Sequence, residues 1–242
     1  MGAKKDIKYF TFPICLLNGA FDDIHTVTDN IIDYSIYKHS LKLDLGTEKN
    51  KMQAALDFYE LIPGNIKKMT DNGKMLNNSK SERTALTSIN RDMVFDFYKN
   101  YKSEFDIACF CTFAAIKSIL GKKEFCKTNK EFIISRAFSY NSISDVPEIK
   151  PILFKKYSKR YHIDLVLIEL QTNWGLSLFS DHSRGFYLSF KLDIIELAKI
   201  NIQSKKSTKF NELRNKKKEA LITARQIING NIDTYFYINP TS

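Results

Sequence analysis

Between Asp22 and Leu43 the apolar side chains Ile24, Val27, Ile31, Tyr34 and Ile36 or Tyr37 recur every three or four positions. That spacing lines one face of a 3.6-residue helix and predicts a helix over 22–43. Upstream, residues 7–17 are β-branched and aromatic and read as a short strand or an extended arm. "KNKMQAALDFYELI" (49–62) predicts a second helix, stopped by Pro63-Gly64. The stretch from Gly64 to Thr84 is polar, with Gly73 and several Asn, and reads as a loop or hinge. Residues 85–103 carry a third helical pattern.

The second half is more sharply punctuated. "EFDIACFCTFAAIKSIL" (104–120) is apolar all round, which predicts a core helix ended by Gly121. Thr128 followed by Glu131 is a capping-box spacing and opens a helix over 129–138. Residues 139–158 hold Pro147, Pro151 and a short helix. "RYHIDLVLIELQTN" predicts a longer helix closing near Gly175. Two alternating runs, "LSLFS" and "GFYLSFKL", flank "DHSR" and predict a β-hairpin. From 193 to 229 the pattern is helical and strongly basic. The expected fold is mostly α with a small β-hairpin. It divides into a helical N-terminal domain over residues 1–103, a second domain over residues 104–192 and a basic helical tail over residues 193–242.

Charge changes the picture next. The chain of 242 residues carries a formal net charge of +10, and 43% of it is apolar, enough for a sizeable core. A basic balance points toward nucleic acid or another anionic surface. The tail concentrates it: from Lys199 to Arg225, nine Lys and Arg stand against two Glu, a net +7. Residues 104–191 hold 13 basic and 9 acidic residues, only +4.

Other chemistry is thin. Cys15, Cys109, Cys111 and Cys126 form no C-x-x-C pair, so free buried thiols of a reducing compartment are expected, and no zinc site. Asp22, Asp23 and His25 read as a helix cap rather than a metal site. Adjacent residues of "DHSR" point in different directions and cannot form an Asp-His-Ser relay. No phosphate-binding glycine pattern appears. The aromatic stripe "FDFYKNY" (95–101) reads as core. No catalytic residue, cofactor or metal is therefore expected, and the chain is read as a non-enzyme. The N-terminal apolar patch lacks a small-residue cleavage site, and Asp6 breaks the myristoylation pattern. No run reaches the ~18 apolar residues of a membrane span. A cytoplasmic protein without membrane contact is the expectation.

The order core helix, capped helix, helix ending in "LIELQTNWGL", then the hairpin "SLFSDHSRGFYLSF" resembles the winged helix-turn-helix superfamily over about 104–192. The resemblance implies a third helix that meets the major groove and a wing that reaches a neighbouring phosphate or minor groove. Carried onto this chain, it assigns phosphate contacts to Lys155, Lys156, Arg184 and tail lysines Lys216, Lys217 and Lys218. Groove contacts fall to Lys159, Arg160 and His162, with His182 at the wing. Phosphate at the Thr128-capped helix would meet Lys127 and Lys130. Trp174 is assigned to packing between third helix and wing. The implied function is DNA binding, by a transcriptional regulator or a mobile-element replication factor, with a homodimer as a further expectation. The alternative is a protein-interaction module without nucleic acid. It draws on the apolar third helix, on acidic Asp164 and on the long segment 139–158 where the superfamily has a short turn.

Overall fold

The computed structural model describes residues 7–62, 64–79, 84–180 and 185–238, with 223–238 described as helical backbone only. The chain divides after Leu192 into two compact units, Met1–Leu192 and Asp193–Ser242, and no division falls at residue 103. As expected, the protein is mostly helical with little sheet.

Strand β1 (Tyr9–Pro13) turns Phe10 and Phe12 inward and runs antiparallel to β2 (Leu86–Asn90). Helix α1 (Ile24–Ser40) starts at Asp23, whose carboxylate accepts hydrogen bonds from the Thr26 N–H (3.0 Å) and hydroxyl (2.6 Å). Those bonds hold Asp23 below the usual carboxylate range. Helix α2 (Glu48–Phe58) ends earlier than expected. Tyr59 closes it, and Glu60 takes a left-handed conformation with φ 56°.

Two expectations fail here. The polar stretch after Gly64 is not a loop: Ile66–Ser79 is helix α3, packed along α1. Gly73 is a contact residue, not a breaker. A Cβ there would sit 2.4 Å from Tyr37 Cβ and 3.0 Å from the Asp33 carbonyl, so only glycine lets the helices approach this closely. Nor is 85–103 a single helix. Its first residues are β2, and α4 (Arg91–Lys99) begins where Asn90 caps it by accepting from Asp92 N–H.

Helix α5 (Glu104–Leu120) begins at a reciprocal Ser103–Asp106 capping box and ends at Gly121, as its pattern predicts. It is buried over most of its length and serves both halves. The Thr87 hydroxyl of β2 donates to the Ala114 carbonyl (2.9 Å), and one apolar core runs from Phe10 and Ile31 through Phe110 and Ile116 to Ile133, Leu170 and Leu188. Cys109 and Cys111 lie in it, where burial pushes both thiols up to about 12, so neither is a thiolate near neutrality.

Strand β3 (Phe125–Thr128) follows, then α6 (Lys130–Ala137), α7 (Ile152–Ser158), α8 (Arg160–Asn173), and the hairpin β4 (Ser177–Phe179) and β5 (Phe186–Ser189). The expected Thr128 cap is corrected. Thr128 ends β3 with its hydroxyl buried and unpartnered, and Asn129 caps α6 by accepting from Phe132 N–H (2.8 Å). Strand β5 is central, with Phe125 opposite Ser189 on one side and Ser177 opposite the same residue on the other. Gly185 enters β5 at φ +99°, where a Cβ would lie 2.6 Å from the Thr128 carbonyl. Trp174 packs on Phe113 of α5 (5.2 Å between rings), and Phe113 also meets Phe190 (5.0 Å), so the end of α8 and the exit of the hairpin share one aromatic support.

The second unit is described by α9 (Ile194–Ile238), which starts with Asp193 accepting from Glu196 N–H and Glu196 accepting from Asp193 N–H. At 1.5 Å per residue its 45 residues span about 68 Å. Among the described residues no helix is long and apolar enough to cross a membrane.

A pH dependence follows from the α1–α3 contact. Asp33 of α1 is 5% exposed and accepts a hydrogen bond from the neutral Asn72 amide (2.9 Å). Burial, the largest cause, raises its pKa to about 6, against the smaller opposing effect of that bond. The folded state therefore holds a proton that the unfolded chain releases near 3.8. The resulting stability is complete below about pH 4 and lost as pH rises through 6. Asp33→Asn keeps an acceptor for Asn72 and removes the titration. It is expected to exceed wild type by on the order of 1–3 kcal/mol at pH 7 and to converge with it at pH 4, as read by urea unfolding.

Candidate nucleic-acid interface

Helices α7 and α8 meet at Ser158–Lys159, and this junction gathers four of the cations expected to contact DNA, Lys155, Lys156, Lys159 and Arg160. Phe154 and Tyr157 are buried under α7, and Ile163, Val166, Leu167 and Leu170 under α8, so the outward residues are fixed by exclusion. Lys155, Lys159 and Arg160 are exposed. Lys159 is the N-cap of α8 but contributes no side-chain hydrogen bond, which leaves the first-turn N–H groups without a protein side-chain acceptor. An anion is favoured at such an end by both the N–H groups and the helix dipole.

Asp164 sits one turn in. It pairs with Lys130 at the start of α6, and its other oxygen lies 3.6 Å from Arg160 Nε. Two cations from two helix starts thus share one carboxylate, and a unit of positive charge is left over. The Arg160 side chain is 92% exposed and the pair is loose, so it is readily given up to a better anion. Beside it a cleft of about 600 Å³ opens between α6, α7 and α8, floored by Ile134, Phe154 and Ile163.

The remaining positions divide. Lys156 is not free for phosphate. It holds Glu104 of α5 at 2.7 Å, and that bond, more than the one from the Tyr157 hydroxyl (2.9 Å), keeps Glu104 below the usual carboxylate range. His162 is half-buried, its ring 6.0 Å from Tyr157 and 5.3 Å from Tyr161, so it packs with tyrosines more than it projects. Lys127 lies on β3 over the Tyr187 ring at 5.7 Å. His182 and Arg184, the expected wing contacts, lie outside the described residues. Lys216, Lys217 and Lys218 are exposed on α9, within an entirely exposed stretch from 202 to 222.

One feature of α8 was missed at the level of sequence. Tyr161, Leu165 and Ile168 are 68%, 38% and 56% exposed and follow one another at four- and three-residue spacing. They form an outward apolar stripe on the helix assigned to the groove. The spacing was readable, but so was an identical periodicity on the buried face, and only packing separates them.

Among the described residues no three His, Cys, Asp or Glu side chains are grouped to hold a metal ion. His25 Nδ1 lies 2.7 Å from the Tyr98 carbonyl. No protein-family model matches the chain, and no curated protein or solved structure is significantly similar to it.

Proposed function

We propose that the chain is a DNA-binding protein that neutralises backbone phosphate with the α7–α8 junction and with α9. The observation that carries the reading is the α8 start, where exposed Lys155, Lys159 and Arg160 stand at a helix N-terminus without a side-chain cap. Phosphate satisfies the orphan N–H groups and the charge together. The exposed lysines and arginine of α9 supply a second basic surface, which acts without regard to base sequence. Support for the winged helix-turn-helix resemblance comes from the order of elements. Helices α5, α6 and α8 precede a hairpin whose second strand pairs with β3, so helices and hairpin form one body. A regulator and a mobile-element replication factor share this binding chemistry.

Asp164 gives the reading a test in which two variants move in opposite directions. Asp164→Asn releases Lys130 and Arg160 and is expected to tighten duplex binding several-fold at about 0.1 M salt. Lys159→Gln with Arg160→Gln is expected to weaken it about tenfold or more. Fluorescence anisotropy with a labelled mixed-sequence duplex measures both. Equal affinity in the three proteins would remove the α8 start from the interface.

A second reading rests on the outward stripe Tyr161, Leu165 and Ile168, which suits a protein partner better than a groove. Under it, Ile168→Asp abolishes association with the partner, and neither the variant nor the unaltered protein binds duplex DNA.

A further inference from the structure

We propose that the open cleft lined by α1, the end of α2, the start of α3 and α4 binds a small organic ammonium ion, with Asp33 as its counter-ion. The cleft has a volume of about 300 Å³, at the lower end of the range for small-molecule sites. Its lining is apolar and aromatic at Ile32, Leu56, Met69, Phe95 and Tyr98, and Asp29, Asp33, Asn65 and Lys68 are its polar members. An apolar and aromatic lining around a buried carboxylate, with a second carboxylate beside it and one competing lysine, favours a cationic ligand with an apolar body.

Asp33 is buried, with 5% of the residue exposed. Its hydrogen-bond partner is Asn72 Nδ2, which also donates to Asn30 Oδ1 at 3.0 Å, so both amide hydrogens are committed. Among the described residues no Lys, Arg or His nitrogen forms an ion pair with Asp33 within 4.0 Å. A buried carboxylate in a cavity, hydrogen-bonded to a neutral amide and reached by Lys68 only beyond ion-pair distance, is a charge without a paired complement. One resolution for such a group is to take up a proton more readily, and burial raises Asp33 to about 6, so that near neutrality it is mostly charged. An ammonium ion offers the other resolution, since it brings the charge and donates hydrogen bonds while its body covers the aromatic walls.

The chemistry disfavours a metal ion. Hard divalent cations need about six oxygen ligands, and apolar walls with Asp33 and Asp29 cannot supply them. Asp29 lies one turn before Asp33 on α1, is exposed, and adds negative potential at the mouth. Lys68 of α3 also lines the cavity and is exposed. It is the chain's own competitor for Asp33. The ligand class is therefore a primary amine on a short aliphatic or single-ring body. This site is distinct from the DNA surface and stands or falls separately from it.

The test uses the full chain and three probes of one shape: benzylamine, benzyl alcohol and benzoate, followed by isothermal titration and by the amide NMR signals of the Asn72 side chain. Benzylamine is expected to bind at least tenfold more tightly than benzyl alcohol and to shift the Asn72 signals, with no binding of benzoate. Asp33→Asn is expected to erase the preference for amine over alcohol. Lys68→Ala is expected to tighten amine binding two- to fivefold. The comparison of amine with alcohol on the unaltered protein holds even if Asp33→Asn does not fold. Equal binding of amine and alcohol overturns the proposal. So does an undiminished amine preference in Asp33→Asn, or amine binding that appears only once Lys68 is removed.

Discussion

Gly73→Ala is expected to destabilise the Met1–Leu192 unit by about 2 kcal/mol, a fall in Tm of roughly 4–8 °C for a unit of this size. Two effects oppose each other. Alanine in a helix interior is favoured over glycine by up to about 1 kcal/mol. Against that, its Cβ would stand 2.4 Å from Tyr37 Cβ and 2.9 Å from Tyr37 Cγ. Neither atom is the flexible end of a side chain, so α1 and α3 must separate along their contact. Separation also lengthens the Asn72–Asp33 hydrogen bond, one residue away. Overpacking therefore outweighs propensity. Were residues 66–79 a loop or a solvated helix, the same change would stabilise by roughly 0.4–1 kcal/mol. The sign of the change in thermal or urea unfolding thus reports whether α3 packs on α1.

Neutralising α9 carries the larger functional effect. Replacing Lys206, Lys209, Arg214, Lys216, Lys217 and Lys218 by glutamine removes six exposed cations and leaves the helix-forming character of the segment intact. Each phosphate contact contributes about 0.9 to the slope of log affinity on log salt. If three of the six touch phosphate together, the affinity at 0.1 M salt falls by roughly 500-fold relative to wild type. Circular dichroism is expected to show an unchanged fold, because every replaced side chain is exposed. An affinity within threefold of wild type would make α9 a bystander and leave the α8 start as the whole interface.

Helices α1, α5 and α8 were legible in the sequence because their apolar side chains repeat at helical spacing and their ends carry local signals, such as Gly121 after α5. The hairpin was legible from alternation. Helix α3 was not, because its apolar face is thin and Gly73 carries the ordinary signal of a break. Its reason for being glycine is Tyr37, 36 positions away and visible only in three dimensions. Strand β2 was hidden for a similar reason: its partner β1 lies 77 residues upstream at the Thr11–Ser88 pair. The cap of α6 falls one residue later than its spacing suggests, since Thr128 and Asn129 both suit the role and β3 pairing commits Thr128 to the sheet.

The candidate interface was legible as residue types but not as availability. Lys155, Lys156, Lys159 and Arg160 look alike along the chain. In the fold Lys156 is bound to Glu104, a residue 52 positions away, while Lys155 and Lys159 stay exposed. Asp164 looked like an obstacle to phosphate. In the fold it pairs with both Lys130 and Arg160, and under the proposed function it is a placeholder that phosphate displaces. Asp33 carried no sequence signal at all, because its meaning depends on burial and on a cavity formed by four helices.

The central claim is that the protein binds DNA chiefly through phosphate neutralisation. Its most direct test is the affinity of the unaltered protein for a mixed-sequence duplex between about 50 and 300 mM monovalent salt. The expected result is a straight line of log affinity against log salt with a slope of about −5 or steeper, the mark of six or more displaced counter-ions. No binding at 50 mM, or a slope flatter than about −2, would contradict it and leave the exposed stripe of α8 as the surface to explain.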